Sequence, residues 1–214
     1  MTPDDLTRLS ELGVATTYEA AGREGLLDLS LIQLLPGSRA AGPARTVLCG
    51  QDDNLMVHAV VERIQPGDVL ILTMPEPTAV ALIGELLATQ VKVRGAAAIL
   101  VDGAIRDFEE LVKLGLPIWT RYIRVRGATK TQIGQLDVPV TVGGTSIAPG
   151  DFVVLDADGG VCIKRERAAD VLKAAEARGE REARLRDKLA AGEMSYDLHG
   201  LREYVARNRG THER

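Results

Sequence analysis

Residues 69–110, VLILTMPEPTAVALIGELLATQVKVRGAAAILVDGAIRDFEE, decide the fold class of this chain. Apolar runs at 69–74 and 97–101, with a short run at 80–83, are bounded by glycine or proline and predict strands buried on both faces. The segment LLATQVKVR between them has the apolar spacing of a helix. A strand, helix, strand unit predicts a parallel sheet, in which ligands usually bind beyond the carboxyl ends of the strands.

A candidate anion site lies between the short apolar run at 80–83 and the predicted helix. Gly84 lets a ligand approach the backbone closely, because it has no side chain. The N–H groups of Glu85, Leu86 and Leu87 open the helix and have no acceptor within it. Such a helix start favours a negatively charged group.

A candidate metal site follows the second strand. Arg106 and Asp107 are adjacent in a predicted turn, so the guanidinium and the carboxylate can serve different partners. Asp107, Glu110 and Glu85 offer hard oxygen ligands of the kind that Mg²⁺ or Mn²⁺ prefers. The same residues also fit an ordinary solvated helix start with a salt bridge. Spacing alone does not separate the two interpretations.

Length and composition limit the classes of function. The chain has 214 residues, of which 45% are hydrophobic, and this is enough for one large domain. We expect an α/β catalytic domain at 1–166 and a charged helical tail at 167–214. The net charge of -4 argues against a general nucleic-acid-binding protein. The chain lacks a basic and apolar leader and a membrane-length apolar run, so we expect a cytoplasmic protein with no membrane partner.

The remaining pattern predicts helices at 3–12 and near 18–22, and another after 54. Strands are predicted at 44–49 and through much of 117–142. Two Pro-Gly-Asp turns precede strands, and we interpret their Asp68 and Asp151 as structural.

Other candidate sites are weaker. His58 and Glu62 are four residues apart on a predicted helix but lack the second histidine of the zinc-protease pattern. Lys164, the best candidate for a Schiff-base lysine, is better explained as a solvated strand end. Asp156 and Asp158 lack EF-hand spacing and predict a hairpin turn. Both cysteines, at 49 and 162, lie in apolar runs and predict buried thiols.

The chain resembles a known family, the 4-hydroxy-4-methyl-2-oxoglutarate aldolases and their relatives named regulator of ribonuclease activity A. The resemblance extends over residues 14 to about 202. Its most specific part is the signature Asp-x20-Arg-Asp-x2-Glu/Asp of the aldolase members, which reads here as Glu85, Arg106, Asp107 and Glu110. Glu85 departs from it, because a longer side chain stands where those members have aspartate.

This resemblance implies an α/β/α sandwich with a swivelling-domain-like β core, assembled as a ring-shaped trimer or a dimer of trimers. It implies that Asp107 is the metal ligand, that the backbone at 84–87 holds a substrate carboxylate, and that Arg106 binds the 2-oxo acid. Glu19 and Glu182 match glutamates that reach a neighbouring subunit's active site in the aldolase branch. Local sequence supports a plainer interpretation for both, as surface charges on helices.

The activity implied is that of a divalent-metal-dependent class II aldolase. Its substrates would be 4-hydroxy-4-methyl-2-oxoglutarate or 4-carboxy-4-hydroxy-2-oxoadipate, with release of pyruvate, and oxaloacetate decarboxylation would accompany the cleavage. The alternative is a non-catalytic inhibitor of an RNA-degrading enzyme. An acidic residue at Glu110 favours the aldolase branch, because the ribonuclease regulators lack one there.

Overall fold

The structure, a computed structural model, describes residues 1–208. The helices are α1 (Pro3–Ala20), α2 (Leu55–Val60), α3 (Glu85–Val93), α4 (Phe108–Leu114), α5 (Ala168–Ala190), α6 (Ser195–Leu198) and α7 (Leu201–Asn208). The strands are β1 (Ile32–Gln33), β2 (Ala40–Leu48), β3 (Val69–Thr73), β4 (Ala81–Ile83), β5 (Ala98–Ile105), β6 (Ile118–Ile123), β7 (Gln135–Leu136), β8 (Val140–Val142), β9 (Thr145–Ile147), β10 (Phe152–Asp156) and β11 (Gly159–Ile163).

Within residues 1–208 the strands form a nine-stranded sheet and a separate β8–β9 hairpin. The sheet order is β1-β6-β5-β3-β2-β10-β11, with β4 beside β5 and β7 beside β2. The central strands β2, β3, β5 and β6 are parallel, and β4 is parallel to β5. Every residue of β3 and β5 is buried, as the apolar runs predicted. The predicted α/β class, with a C-terminal helix, is confirmed.

Apolar faces of the helices cover the sheet. In α3, Leu87, Ala88 and Val91 are buried at helical spacing, and in α4 Leu111 is fully buried. These side chains share a core with β3 and β5, and each fully buried aliphatic side chain contributes about 1.5–3 kcal/mol to folding. A second core cluster joins α1 and the start of α5 to β10 and β11.

Two element boundaries differ from the sequence-based expectation. The strand predicted at 97–101 continues to Ile105, because β6 and β4 both pair with its extension. The helices predicted at 3–12 and 18–22 are parts of one element, α1, interrupted at Gly13 with φ 81° and ψ 174°. The Val14 N–H donates to Oδ2 of Asp156 at 2.8 Å, so Asp156 is the acceptor at the start of the second half. Asp156 is also the last residue of β10, and the turn that follows it in the β10–β11 hairpin was predicted from the sequence.

The two Pro-Gly-Asp turns are built alike. Oδ2 of Asp68 accepts from the Gln65 N–H at 3.0 Å, and Oδ2 of Asp151 accepts from the Ala148 N–H at 2.9 Å. Asp151 also binds the Lys164 ammonium at 2.8 Å. These contacts give both aspartates and Lys164 structural roles.

The chain divides into two compact units, Met1–Ala175 and Glu176–Arg214. The first turns of α5 belong to the first unit, where Ala168, Val171, Leu172 and Ala175 are buried. Residues 209–214, the end of the predicted tail, lie outside the described residues. No helix in residues 1–208 combines the length and the apolar character needed to cross a membrane.

Candidate functional site

Parallel pairing of β4 with β5 creates the candidate site. Ile83 is aligned with Ile105, so the residues that follow each strand emerge at the same edge of the sheet. The Arg106 N–H donates to the Ile83 carbonyl at 3.2 Å and closes this edge. Gly84 and Arg106, although 22 positions apart, therefore lie side by side, as predicted.

Gly84 is required by a close approach of the Asp107 carboxylate. A Cβ atom at Gly84 would lie 2.4 Å from Oδ2 of Asp107 and 3.1 Å from Cγ of Arg106. Because Gly84 has no Cβ, the Asp107 carboxylate comes close enough for its Oδ2 to accept from the Glu85 N–H at 3.2 Å. The carboxylate thus sits at the positive end of α3, where helix geometry stabilises a negative charge.

Asp107 has an unusual backbone conformation. It precedes α4 with φ 60° and ψ 46°, in the left-handed region that aspartate tolerates better than most residues. This geometry places its carboxylate toward α3, where Oδ2 is also 3.6 Å from Nε of Arg106. Both side chains are roughly half exposed, at 51% and 40%, so each keeps polar atoms available to a ligand.

A cleft of about 190 Å³ opens beside this pair. It is lined by Asn54, His58, Ala81, Ile83, Gly84, Leu86, Leu87, Arg106, Asp107, Ala128 and Lys130. Its far wall is the loop after β6, which is tied to β4 by the Ala81 N–H donating to the Arg126 carbonyl at 2.7 Å. Gly127 in this loop allows close approach of Arg106, because a Cβ there would be 2.9 Å from Nη1.

The sequence analysis gave three polar lining residues, Asn54, His58 and Lys130, no role in this cleft. Asn54 was interpreted only as part of a helix start, yet its side chain makes no cap bond to α2. Its Nδ2 instead donates to the Leu82 carbonyl at 3.0 Å, which leaves Oδ1 buried and without a hydrogen-bond donor among residues 1–208. Burial and the charge of Lys130 lower the pKa of His58 and so disfavour its charged form. The sequence could have predicted that Asn54, His58 and Lys130 meet only if it had shown that the loop at 129–132 contacts the start of α2.

The predicted carboxylates do not all converge in one chain. Oε1 of Glu85 accepts from the Thr89 hydroxyl at 3.0 Å along α3, and Glu110 lies 3.9 Å from the Lys113 ammonium. In residues 1–208 no group of three or more His, Cys, Asp or Glu side chains is arranged to hold a metal ion. Asp107 is the acidic side chain in the cleft lining.

Glu19 and Glu182 occupy two different helices. Glu19 lies on α1, 3.2 Å from Nε of Arg23, and does not line the cleft of its own chain. Glu182 lies on α5 in the second compact unit, with Oε1 at 2.7 Å from Nε of Arg178. Their predicted entry into a neighbouring subunit's site stays a prediction.

The donor set of the cleft fits a hydrated hard cation. Asp107 presents a half-exposed carboxylate and Asn54 a buried, unsatisfied amide oxygen, and both are ligand types that suit Mg²⁺ or Mn²⁺. Mg²⁺ commonly binds proteins through one or two carboxylates and keeps several waters. Absence of a three-carboxylate group is therefore compatible with such a site.

The thiols offer no competing chemistry. Cys49 and Cys162 are both free and buried, as predicted. Desolvation raises the pKa of each to about 12, with smaller contributions from Asp53 and Asp151 respectively. Neither forms an appreciable thiolate near neutral pH.

The fold and the cleft together define a small α/β protein with an arginine and a carboxylate side by side at the carboxyl ends of the parallel strands of its sheet. The sequence profile described as RraA-like, Aldolase/RraA, matches residues 14–162. The chain belongs to this RraA-like family.

Known relatives carry two kinds of name. A protein of Halalkalibacterium halodurans is 35% identical over 176 residues, covering 81% of this chain and 84% of the relative. Its name, 4-hydroxy-4-methyl-2-oxoglutarate aldolase, is a provisional one. The crystal structure of Streptomyces coelicolor RraAS2, described as an unusual member of the RNase ES inhibitor RraA family, has 30% identity and a TM-score of 0.76. It covers 87% of this chain and 97% of that one.

A third relative is the RNA-processing inhibitor RraA from Thermus thermophilis. It is 29% identical, with a TM-score of 0.58 and coverage of 65% of this chain and 82% of that one. The comparisons therefore establish the family, and its members' names include both an aldolase and inhibitors.

Proposed function

We propose that this protein is a divalent-metal-dependent lyase that cleaves 4-hydroxy-4-methyl-2-oxoglutarate, 4-carboxy-4-hydroxy-2-oxoadipate or a similar 4-hydroxy-2-oxo acid and releases pyruvate. We also propose that it decarboxylates oxaloacetate. The observation that carries this proposal is the convergence of Arg106 and Asp107 on the amino end of α3, beside Gly84. The aldolase name of the Halalkalibacterium relative supports it.

The backbone near Gly84 would bind the substrate carboxylate. The N–H groups of Leu86 and Leu87 lie in the first turn of α3 and have no acceptor within the helix. Leu86 is 76% exposed and Leu87 lines the cleft, so the first turn is open to a ligand. A carboxylate there gains two donors and the helix dipole.

Arg106 would stabilise the charge that develops as the carbon–carbon bond breaks. Both reactions leave negative charge on the three-carbon fragment that becomes pyruvate, delocalised onto its 2-oxo oxygen. A guanidinium can donate two parallel hydrogen bonds to that oxygen and the adjacent carboxylate. Fixed donors of this kind are typically worth about 3 to 4 kcal/mol in the transition state.

Asp107 would hold the cation, with Asn54 as a further oxygen ligand or as a ligand to its water. When bound, a divalent cation supplies Lewis-acid polarisation of the 2-oxo group. A water oriented by Glu85 or Glu110 is the first candidate for removing the 4-hydroxyl proton, and Glu182 of a neighbouring subunit is the second. We propose a trimer or a dimer of trimers, in which Glu19 and Glu182 complete the site.

A coupled assay tests the proposal directly. Purified protein with Mg²⁺ or Mn²⁺ should convert oxaloacetate, and separately 4-hydroxy-4-methyl-2-oxoglutarate, to pyruvate faster than metal alone. Excess EDTA should abolish turnover and added metal should restore it. Asp107→Asn should lose the activity while keeping its circular dichroism spectrum. Glu109→Gln, which removes a neighbouring charge on α4, is the matched control and should retain it. Full activity in EDTA would exclude the metal mechanism.

The second candidate function, inhibition of an RNA-degrading enzyme, is favoured by the similarity to RraAS2. It predicts a protein without turnover that slows RNA cleavage by such an enzyme. Arg106→Ala separates the two functions, because it should abolish pyruvate release but leave an inhibitory surface largely unchanged.

A further inference from the structure

We propose that Asp53 is a positioning residue that fixes the two walls of the cleft relative to each other. This inference rests on the proposed function, because Asp53 controls the placement in the cleft of Asn54, a proposed ligand of the cation or of its water, and of the Lys130 ammonium. Asp53 does not line the cleft and is 0% exposed, so it acts only through its neighbours.

The Asp53 carboxylate accepts hydrogen bonds from two separate segments. Oδ1 accepts from the Leu55 N–H at 2.8 Å, at the start of α2. Oδ2 accepts from the Thr131 N–H at 2.6 Å, the Gln132 N–H at 3.1 Å and the Thr129 hydroxyl at 2.6 Å. One buried side chain therefore joins the start of α2 to the loop at 129–132.

Each segment carries a polar residue of the cleft. Asn54 follows Asp53 directly, and Lys130 lies between Thr129 and Thr131. The backbone reinforces the connection, because the Asn54 N–H donates to the Thr129 carbonyl at 2.9 Å and the Thr129 N–H donates to the Asp52 carbonyl at 3.0 Å. A shift of the loop would therefore move Lys130 relative to Asn54, Arg106 and Asp107.

A charged carboxylate is the group that suits this position. Both oxygens of the Asp53 carboxylate act as acceptors, Oδ1 toward the start of α2 and Oδ2 toward the loop at 129–132. An asparagine could accept at one oxygen only, and its NH₂ group would face a backbone N–H. The substitution would leave buried donors unpaired and release one side of the connection.

Asp53→Asn tests this role, and Asp151→Asn is its matched control. Asp151 is a buried aspartate that also accepts from two backbone N–H groups, those of Ala148 and Arg165, but the segments it joins carry no residue of the cleft lining. Both variants should lose stability. At a temperature where both are folded, Asp53→Asn should lose about 100-fold in kcat/KM for oxaloacetate, whereas Asp151→Asn should stay within about threefold of wild type.

Two further measurements distinguish positioning from general destabilisation. Amide exchange at Thr131 and Gln132 should accelerate in Asp53→Asn and not in Asp151→Asn. Mn²⁺ affinity, through Asn54, and pyruvate affinity, through Lys130, should both fall in Asp53→Asn and stay unchanged in Asp151→Asn. If Asp53→Asn does not fold, Thr129→Val removes one donor with little change in shape, and a smaller loss in kcat/KM is expected.

The outcomes separate this inference from the proposed function. Equal kcat/KM for the two aspartate variants, with wild type active, would overturn the role of Asp53 alone. Wild type that binds pyruvate without turnover would exclude the lyase reaction, and the pyruvate affinities of the variants would still decide the inference. Wild type that neither binds pyruvate nor turns over oxaloacetate would overturn both.

Discussion

At the residue scale, absent side chains shape the candidate site as much as present ones. Gly84 leaves room for the Asp107 carboxylate, and Gly127 leaves room for the Arg106 guanidinium. The two glycines lie on opposite walls of the cleft and restrict different functional groups. Substituting each one should therefore disturb one group more than the other.

Gly84→Ala should weaken metal binding, because its Cβ would lie 2.4 Å from Oδ2 of Asp107 and must displace it. Gly127→Ala should weaken pyruvate binding instead, but less, because its Cβ approaches Nη1 of Arg106 at 2.9 Å, the far end of a flexible side chain that can shift at low cost. Calorimetric titration with Mn²⁺ and with pyruvate measures both effects, and we expect at least about tenfold for Mn²⁺ in Gly84→Ala and about threefold for pyruvate in Gly127→Ala. Equal losses of both ligands in both variants would contradict this separation.

Arg106→Lys should be almost as damaging as Arg106→Ala, because an ammonium cannot donate two parallel hydrogen bonds in a fixed plane. The loss should be about 100-fold or more in kcat, since the guanidinium acts on charge that develops in the transition state. Steady-state kinetics with oxaloacetate provide the measurement. A raised KM with unchanged kcat would indicate uniform substrate binding instead.

At the element scale, contacts between segments distant in sequence hold the cleft together. The β4–β5 pair aligns Gly84 with Arg106, and the loop after β6 closes the opposite wall through Ala81 and Asp53. The contact between the loop at 129–132 and the start of α2 is sensitive to acid, because protonation of the Asp53 carboxylate removes hydrogen bonds that stabilise the folded state.

The stability difference between wild type and Asp53→Asn should depend on pH. The folded pKa of Asp53 lies below its ordinary value of 3.8, so its contribution is present above that pH and is lost as pH falls through the folded pKa. Urea unfolding at pH 7 should show wild type more stable, and the difference should shrink steadily below about pH 4. Other aspartates whose pKa is lowered by folding titrate alike in both proteins, so their contributions to the stability difference cancel. A difference that stays constant to pH 2 would contradict the charged role of Asp53.

At the scale of the whole molecule, Glu19 and Glu182 lie on helices outside the cleft lining of their own chain. Each is close to an arginine, Arg23 and Arg178 respectively, so local contacts alone account for both as surface charges. A role in catalysis requires a second subunit. Subunit mixing tests that requirement.

Arg106→Ala and Glu182→Ala subunits, each inactive alone, should regain activity when they exchange within an oligomer. Some mixed sites would then carry both wild-type groups. Arg106→Ala mixed with Asp107→Asn is the control and should regain none, because adjacent residues belong to the same subunit's site. The coupled pyruvate assay measures recovery, and mass spectrometry confirms the exchange. Exchange without recovery, or an active monomer, would exclude the shared site.

Local sequence determined the α/β class, the buried strands and the placement of Gly84, Arg106 and Asp107 at the carboxyl ends of strands. These features follow from apolar periodicity and from glycine and proline boundaries, which act over a few residues. The family resemblance added the predictions of metal and substrate roles, which stay predictions. Even the interruption of α1 has a local cause, because only a glycine adopts the backbone angles found at position 13 without strain.

Tertiary structure alone decided which polar groups share the cleft. Asn54, His58 and Lys130 reach it because the loop at 129–132 folds against α2, a contact between segments more than 70 residues apart. Local contacts within α3 and α4 turn Glu85 toward Thr89 and Glu110 toward Lys113, although their spacing matched a metal-binding signature. Spacing fixes where a side chain leaves the backbone, but its partners depend on its neighbours along the helix and, for the cleft lining, on packing between distant segments.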